Sequence, residues 1–189
     1  MEDTTCAIFY NEPEQVIYKQ ILSSQEASNI NDSLVSRSKG WKDGAQVIAN
    51  GSRPFLEIDL DKEFPDIKER IKIVLRDYFP DVIVSPDSRF YNHQYGRVKP
   101  HTDGNRDGIS QYTLLLYLCS EFEGGQLSIK MKRQEEERLS HNPHHYHKVF
   151  SFVPKLGYAV IFRKSLLHWA DEVVDGNKNF LLLHLHSQF

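Results

Sequence analysis

The 189-residue sequence has little of what marks several protein classes. Its two cysteines, Cys6 and Cys119, cannot build the multi-bridge framework of a small secreted domain. Cys119 closes an apolar run and reads as a buried thiol, so a reducing, cytoplasmic setting is expected. No apolar run approaches the roughly 20 residues that a membrane-spanning helix needs. Residues 1–14 are acidic and hold no basic stretch leading into an apolar one, so no secretory leader is expected. Neither sign of charge dominates: 23 Lys and Arg stand against 26 Asp and Glu, a net charge of −3. That balance lacks the basic excess of a nucleic-acid surface. No internal repeat or low-complexity linker divides the chain. A single domain over 1–189 is expected, with neither nucleic acid nor membrane as partner; the sequence leaves the oligomeric state open.

The composition is that of a globular protein, with 40% hydrophobic and 26% charged residues. Eleven Phe and nine Tyr promise a ring-rich core. The unusual count is nine histidines, several beside Asp, Tyr or Trp, and the chemistry is to be sought there. Residues Val16 to Leu22 read as a short strand. Ser23 to Glu26 has capping-box spacing, and a helix from Gln25 to Arg37 follows with Ala27, Ile30, Leu34 and Val35 on one face. Pro65 opens a second helix, Asp66 to Phe79, which Pro80 ends. After Pro86 the texture changes to short strands: Ser88 to Tyr95, Gln111 to Cys119, Gln126 to Lys130, Val149 to Val153, Tyr158 to Arg163 and Lys178 to His186. Residues 96–110 read as a polar loop, and 131–148 as a mixed-charge, histidine-rich one. Helices followed by many strands predict an α+β domain, with helical support at about 14–80 and a strand sandwich or barrel at about 86–187.

Three signals carry chemistry. In His101-Thr102-Asp103, residues i and i+2 of an extended segment point to one side, so an imidazole and a carboxylate can meet one metal ion. The same dipeptide spacing also occurs as a solvated surface pair. His168, between apolar strands, reads either as a core histidine bonded to a carbonyl or as a third ligand. Two imidazoles and one carboxylate form a facial triad suited to iron(II) with open positions, and the same donors also hold zinc. Lys178 enters the last apolar strand, where it either sits solvated at the strand mouth or lies inside and needs an anion.

These residues and their flanks resemble the iron(II)- and 2-oxoglutarate-dependent dioxygenases, in the prolyl 4-hydroxylase-like branch. The resemblance rests on His101-Thr102-Asp103, His168 and Lys178 in order. It extends to Arg89-Phe90-Tyr91-Asn92, Tyr112 to Leu118, Phe122-Glu123-Gly124-Gly125 and Pro154 to Phe162. It is strongest from about Arg89 to His186. It implies a double-stranded β-helix (jelly-roll, cupin-like) core with N-terminal helices packed on one sheet. It also implies a hydroxylase that uses iron(II), 2-oxoglutarate and oxygen, with ascorbate admitted as an auxiliary reductant.

Carried over, His101, Asp103 and His168 resemble the catalytic metal ligands, and Lys178 the base that pairs with the distal carboxylate of 2-oxoglutarate. Tyr91 and Tyr117 resemble pocket tyrosines, and Thr113 and Leu115 share the strand face of Tyr117. Asp103 argues against a halogenase, which has a small residue there. The chain departs from the family at Trp169 to Val173, where a proline is common; Trp169 reads as a mouth or packing residue, and Asp171 and Glu172 make that rim acidic. His93 is a pocket candidate, His184 an interior histidine, and His141, His144, His145 and His147 a solvated loop. The expected substrate is a small molecule, an amino acid or a peptidyl residue. Two alternatives are an oxygen-sensing regulatory protein hydroxylase and a cupin-type metalloprotein that does not use 2-oxoglutarate.

Overall fold

The computed structural model describes residues 7–9, 16–37, 39–43, 48–103, 111–131 and 148–187. Cys6 and the histidines of the 141–147 loop lie outside the described residues. Thirteen strands form two antiparallel sheets. The larger sheet runs in the order β1 (Ala7–Phe9), β2 (Val16–Gln20), β11 (Tyr158–Arg163), β7 (Tyr112–Tyr117), β13 (Lys178–Ser187), β5 (Val82–His93), β4 (Phe55–Asp59). The smaller runs β10 (Lys148–Phe152), β9 (Leu127–Met131), β12 (Leu167–Gly176), β6 (Tyr95–His101), β3 (Ile48–Ser52), with β8 (Phe122–Gly124) also paired to β12. This is the jelly-roll, double-stranded β-helix that the sequence implied.

Each sheet has its inner face toward the other. The larger sheet buries its outer face as well, under helices α1 (Ser24–Val35) and α3 (Pro65–Leu75). Helix α1 begins with a full capping box: the Ser23 side chain accepts from the Glu26 amide, and Glu26 reaches back to the Ser23 amide. Those Ser23 hydrogen bonds, then Arg70 of α3, hold the Glu26 carboxyl at about 2, below its ordinary range. Ala27 and Leu34 of α1 pack with Ile67, Ile71 and Leu75 of α3 against Leu114, Leu116, Leu181, Leu183 and Leu185 of the sheet. A second core between the sheets collects Tyr91, Tyr117, Ile129, Phe162 and Phe180.

Strand β7 lies between both cores, which is why all six of its residues are buried and why its sequence is apolar without alternation. Strand β13 alternates as expected, with Leu181, Leu183 and Leu185 toward the helices and Lys178 and Phe180 toward the other sheet.

Several segments differ from the sequence expectation, the unanticipated strands β1, β3, β4 and β8 among them. Residues 96–101, read as loop, belong to β6, because its backbone has strands waiting on both sides, β3 and β12. The ten residues of β12 escaped notice because register shifts and exposed Asp171 and Glu172 interrupt its alternation. Helix α3 stops at Leu75, four residues short. The chain turns there through Tyr78 and Phe79 amides donating to the Leu75 carbonyl, and the Phe79 ring then packs 4.6 Å from that of Tyr112. The short helix α2 (Leu60–Glu63), capped by Asp59, was not anticipated. No helix among the described residues is long and apolar enough to cross a membrane.

Candidate active site

Strand pairing brings the first two imidazoles together. His101 ends β6 and His168 begins β12, and the two are register partners, with ring centres 4.3 Å apart. Just past β6, the Asp103 amide donates to the Lys164 carbonyl, which turns the carboxylate toward both rings. Asp103 Oδ1 lies 3.6 Å from His101 Nε2 and 3.7 Å from His168 Nε2. These separations are too long for hydrogen bonds and leave room for a cation between the atoms. Among the described residues this is the one group of three such donors, all within 4.8 Å of one another.

The protein fixes which atoms are offered. His101 Nδ1 is 2.8 Å from the Lys99 carbonyl, and His168 Nδ1 is 2.9 Å from the Leu166 carbonyl. A carbonyl only accepts, so each Nδ1 carries its proton and each Nε2 presents a lone pair. Both histidines use the carbonyl two residues upstream. The Thr113 hydroxyl donates to Asp103 Oδ2 at 2.6 Å, which leaves Oδ1 facing the rings. Such outer bonds orient the three side chains, and the carbonyls that accept from Nδ1 raise the basicity of the two imidazoles. Burial lowers the pKa of His168, only partly offset by the Asp103 charge, and so favours the neutral, ligating ring. The Phe162 ring, 4.6 Å from that of His168, walls the cluster on the side of the larger sheet.

The other end of the cavity is built around Lys178, which is 3% exposed. Its ammonium donates to the Gly125 carbonyl at 2.5 Å and lies 5.7 Å from the ring centres of both Tyr117 and Phe180. Gly125 has φ +65°, and a Cβ there would stand 2.9 Å from Lys178 Cδ, so only glycine admits the lysine stem. Among the described residues no carboxylate forms an ion pair with Lys178. Burial first, then the Arg53 charge, brings its pKa down to about 7. The Tyr117 hydroxyl is buried without a hydrogen-bond partner among the described residues, and burial pushes its pKa up. A buried cation and a buried donor, both short of an acceptor, suit the carboxylate end of a ligand.

The remaining expected residues fall as follows. Tyr91 is buried between the sheets, stacked on Phe180 at 5.3 Å. Leu115 faces the same core. Thr113, expected against the cosubstrate, spends its hydroxyl on Asp103. His93 is fully buried beside Lys178, its cross-strand partner, and burial followed by the Lys178 charge brings its pKa to about 4, so it is neutral. Trp169 is half-buried and alternates away from His168 along β12; Asp171 and Glu172 are exposed. Cys119 is half-buried rather than buried, its thiol donating to the Asn177 carbonyl at 2.9 Å. One residue escaped the sequence reading. Arg53, between β3 and β4, reaches over the Tyr91 ring at 4.4 Å; burial lowers its pKa, and Tyr91 and then Asp103 oppose that shift. A lone arginine before a proline, outside any periodic segment, carried no sequence signal.

Comparison with known proteins places this geometry. Residues 88–186, more than half of the chain, match the 2OG-Fe(II) oxygenase superfamily. No curated protein matches the sequence. The fold is shared with a Pseudomonas putida prolyl-4-hydroxylase, at 13% identity and TM-score 0.66, over 94% of this chain and 95% of that one. It is shared with a Trichoplax adhaerens prolyl hydroxylase bound to a hypoxia-inducible factor peptide, at 11% identity and TM-score 0.63, over 91% and 83% of the two chains. HygX from Streptomyces hygroscopicus, solved with nickel and 2-oxoglutarate, aligns at 12% identity and TM-score 0.61, over 92% and 83%. The alternative of a cupin-type protein without 2-oxoglutarate is thereby set aside. The chain belongs to the 2OG-Fe(II) oxygenase superfamily and is a 2-oxoglutarate- and iron(II)-dependent dioxygenase.

Proposed function

We propose that this protein hydroxylates a C–H bond of a small molecule, an amino acid or a peptidyl residue, as one catalytic domain. In this reading His101, Asp103 and His168 hold iron(II), while Lys178 and Tyr117 receive the distal carboxylate of 2-oxoglutarate. The observation that carries it is the buried Lys178 ammonium, without a carboxylate of its own, behind an open cluster of two Nε2 lone pairs and one carboxylate oxygen.

Iron(II) held by these residues would activate dioxygen, with 2-oxoglutarate as the co-reductant that is decarboxylated to succinate; one oxygen atom would go to succinate and the other into the substrate C–H bond. The chain's own residues do the rest. Three protein donors, rather than four, leave coordination positions for ligands. The Nδ1 bonds to Lys99 and Leu166 keep both rings in one tautomer and one orientation. Thr113 keeps Oδ2 of Asp103 occupied and so leaves a single oxygen for the metal. Lys178 neutralises and positions the remote carboxylate in a water-poor end, where pairing is stronger than at the surface. Tyr91, Leu115, Phe162 and Phe180 line the cavity between the sheets and exclude water from it.

The test is succinate formation from 2-oxoglutarate under air, with and without added iron(II), alongside calorimetric titration of the metal. Native protein is expected to bind the metal and to form succinate only with iron(II). D103A is expected to lose both. A D103A protein that binds iron(II) as tightly as the native one would refute the assignment of the cluster.

A further inference from the structure

The cavity contains more positive charge than 2-oxoglutarate can use. Arg53 lies where the chain crosses between the sheets: Ser52 pairs with Tyr95 in the smaller sheet, and Phe55 with Tyr91 in the larger. Pro54 restricts the residue before it to extended conformations, and its carbonyl is anchored by the Asn92 amide at 3.0 Å. Arg53 is thereby aimed inward from the open edge of the sandwich. Its guanidinium lies 4.4 Å from the centre of the Tyr91 ring. That ring is itself held by Phe180 and Phe55, with centroids at 5.3 and 5.5 Å, so the platform is rigid. Arg53 Nε is buried without a hydrogen-bond partner among the described residues. Among the described residues Arg53 forms no ion pair. Asp103 does not satisfy it, because one oxygen of that carboxylate accepts from Thr113 and the other faces the two imidazoles.

Formal charges then decide. A ferrous ion and Lys178 together carry three positive charges, and Asp103 with dianionic 2-oxoglutarate cancels all three. Arg53 is left over, and its charge bears on both the metal cluster and the Lys178 end. Arg53 is half-buried, with its Nε cut off from water and no counter-ion among the described residues, and its planar fork of donors matches a carboxylate in two parallel hydrogen bonds. One surplus charge matches one carboxylate better than it matches a phosphate dianion. We propose that the substrate carries a carboxylate and that Arg53 receives it, holding the reacting carbon between the Tyr91 ring and the His101–Asp103–His168 cluster. This inference rests on the oxygenase reading of the site and narrows its substrate class. The carboxylate belongs either to a free acid, such as an amino acid, or to a peptide through an acidic side chain or a C-terminus.

The experiment uses the intact protein loaded with nickel(II) and 2-oxoglutarate, which does not turn over. The probes are the common L-amino acids as free acids and as primary amides, and short N-acetylated peptides with Asp, Glu or a free C-terminus against their amidated forms. Binding is read by calorimetry. Probes that bind native protein are expected to weaken by about tenfold or more on amidation, the worth of a charge-assisted pair. Binding confined to free amino acids names the small-molecule source, and binding confined to peptides names the other.

In R53Q the acid and amide should bind alike, and R53K should restore part of the difference. The comparison of acid with amide needs only native protein, so it survives a variant that fails to fold. Equal binding of acid and amide to native protein, no binding by any carboxylate probe, or an R53Q loss that falls on 2-oxoglutarate instead of the probe would each overturn the proposal. Failure of the underlying oxygenase reading is distinguishable, because the nickel protein would then not bind 2-oxoglutarate at all.

Discussion

The two ends of the cavity solve opposite problems. At the cluster of His101, Asp103 and His168, every donor has its second position already bonded: Nδ1 to a carbonyl twice, Oδ2 to a hydroxyl once. At the Lys178 end the groups are deeper and both are left short: among the described residues the Tyr117 hydroxyl has no partner, and the ammonium has a carbonyl but no anion. The first end is preorganised by protein alone and costs little when no ligand is bound. The second stores an electrostatic penalty that an anionic ligand relieves. In the proposed reading, preorganisation fixes geometry where a metal needs defined donors, whereas the buried ammonium would convert desolvation into selectivity for a dianion.

The contrast is broken most strongly at Lys178. K178M should weaken 2-oxoglutarate binding by about a hundredfold or more, since truncating one partner of a buried charge pair costs roughly 2–5 kcal/mol. The same variant should raise the melting temperature of the ligand-free protein, because it removes a buried charge. Calorimetry of the nickel protein and a thermal melt check the two halves together. A K178M protein that is less stable and still binds 2-oxoglutarate normally would erase the difference between the ends.

The second expectation concerns pH. The Lys178 pKa is about 7 in the folded protein against an ordinary value near 10.5, so between these values the unfolded chain binds the extra proton. Stability from this group therefore rises with pH across that window and falls back as pH drops through about 7, by up to about 1.4 kcal/mol per pH unit. Denaturant titrations from pH 7 to 10 should show this rise in native protein. K178M should show none of it, and saturating 2-oxoglutarate should flatten it.

The smallest effect probes the other end. T113V keeps the shape of the side chain and removes the bond to Asp103 Oδ2. Metal affinity should fall about tenfold, in the range for loss of an outer-shell bond, with 2-oxoglutarate affinity of the metal-loaded protein nearly unchanged. Metal titration followed by cosubstrate titration separates the two.

What could be read beforehand follows the same division. The triad residues and Lys178 stood out because a charged or ligating side chain interrupts an apolar strand only at a cost, and the cost implies a partner. The alternation of β13 was equally plain, since Leu181, Leu183 and Leu185 give a period of two. Strand β6 was invisible, because Gly96, Pro100 and exposed polar residues make it look like a loop, and only its pairing with β3 and β12 makes it a strand. Helix α3 was drawn too long because apolar spacing continues past Leu75 into residues that pack as a turn.

The sequence by itself determined the donor types and their order, because those depend on local pattern, and it left Lys178 either solvated at the strand mouth or interior. Only the tertiary structure decided which nitrogen of each imidazole is free, which oxygen of Asp103 is offered, and that Arg53 enters the cavity from the crossing between β3 and β4. Those are matters of proximity between segments far apart in the chain, and proximity is set by strand pairing rather than by residue type.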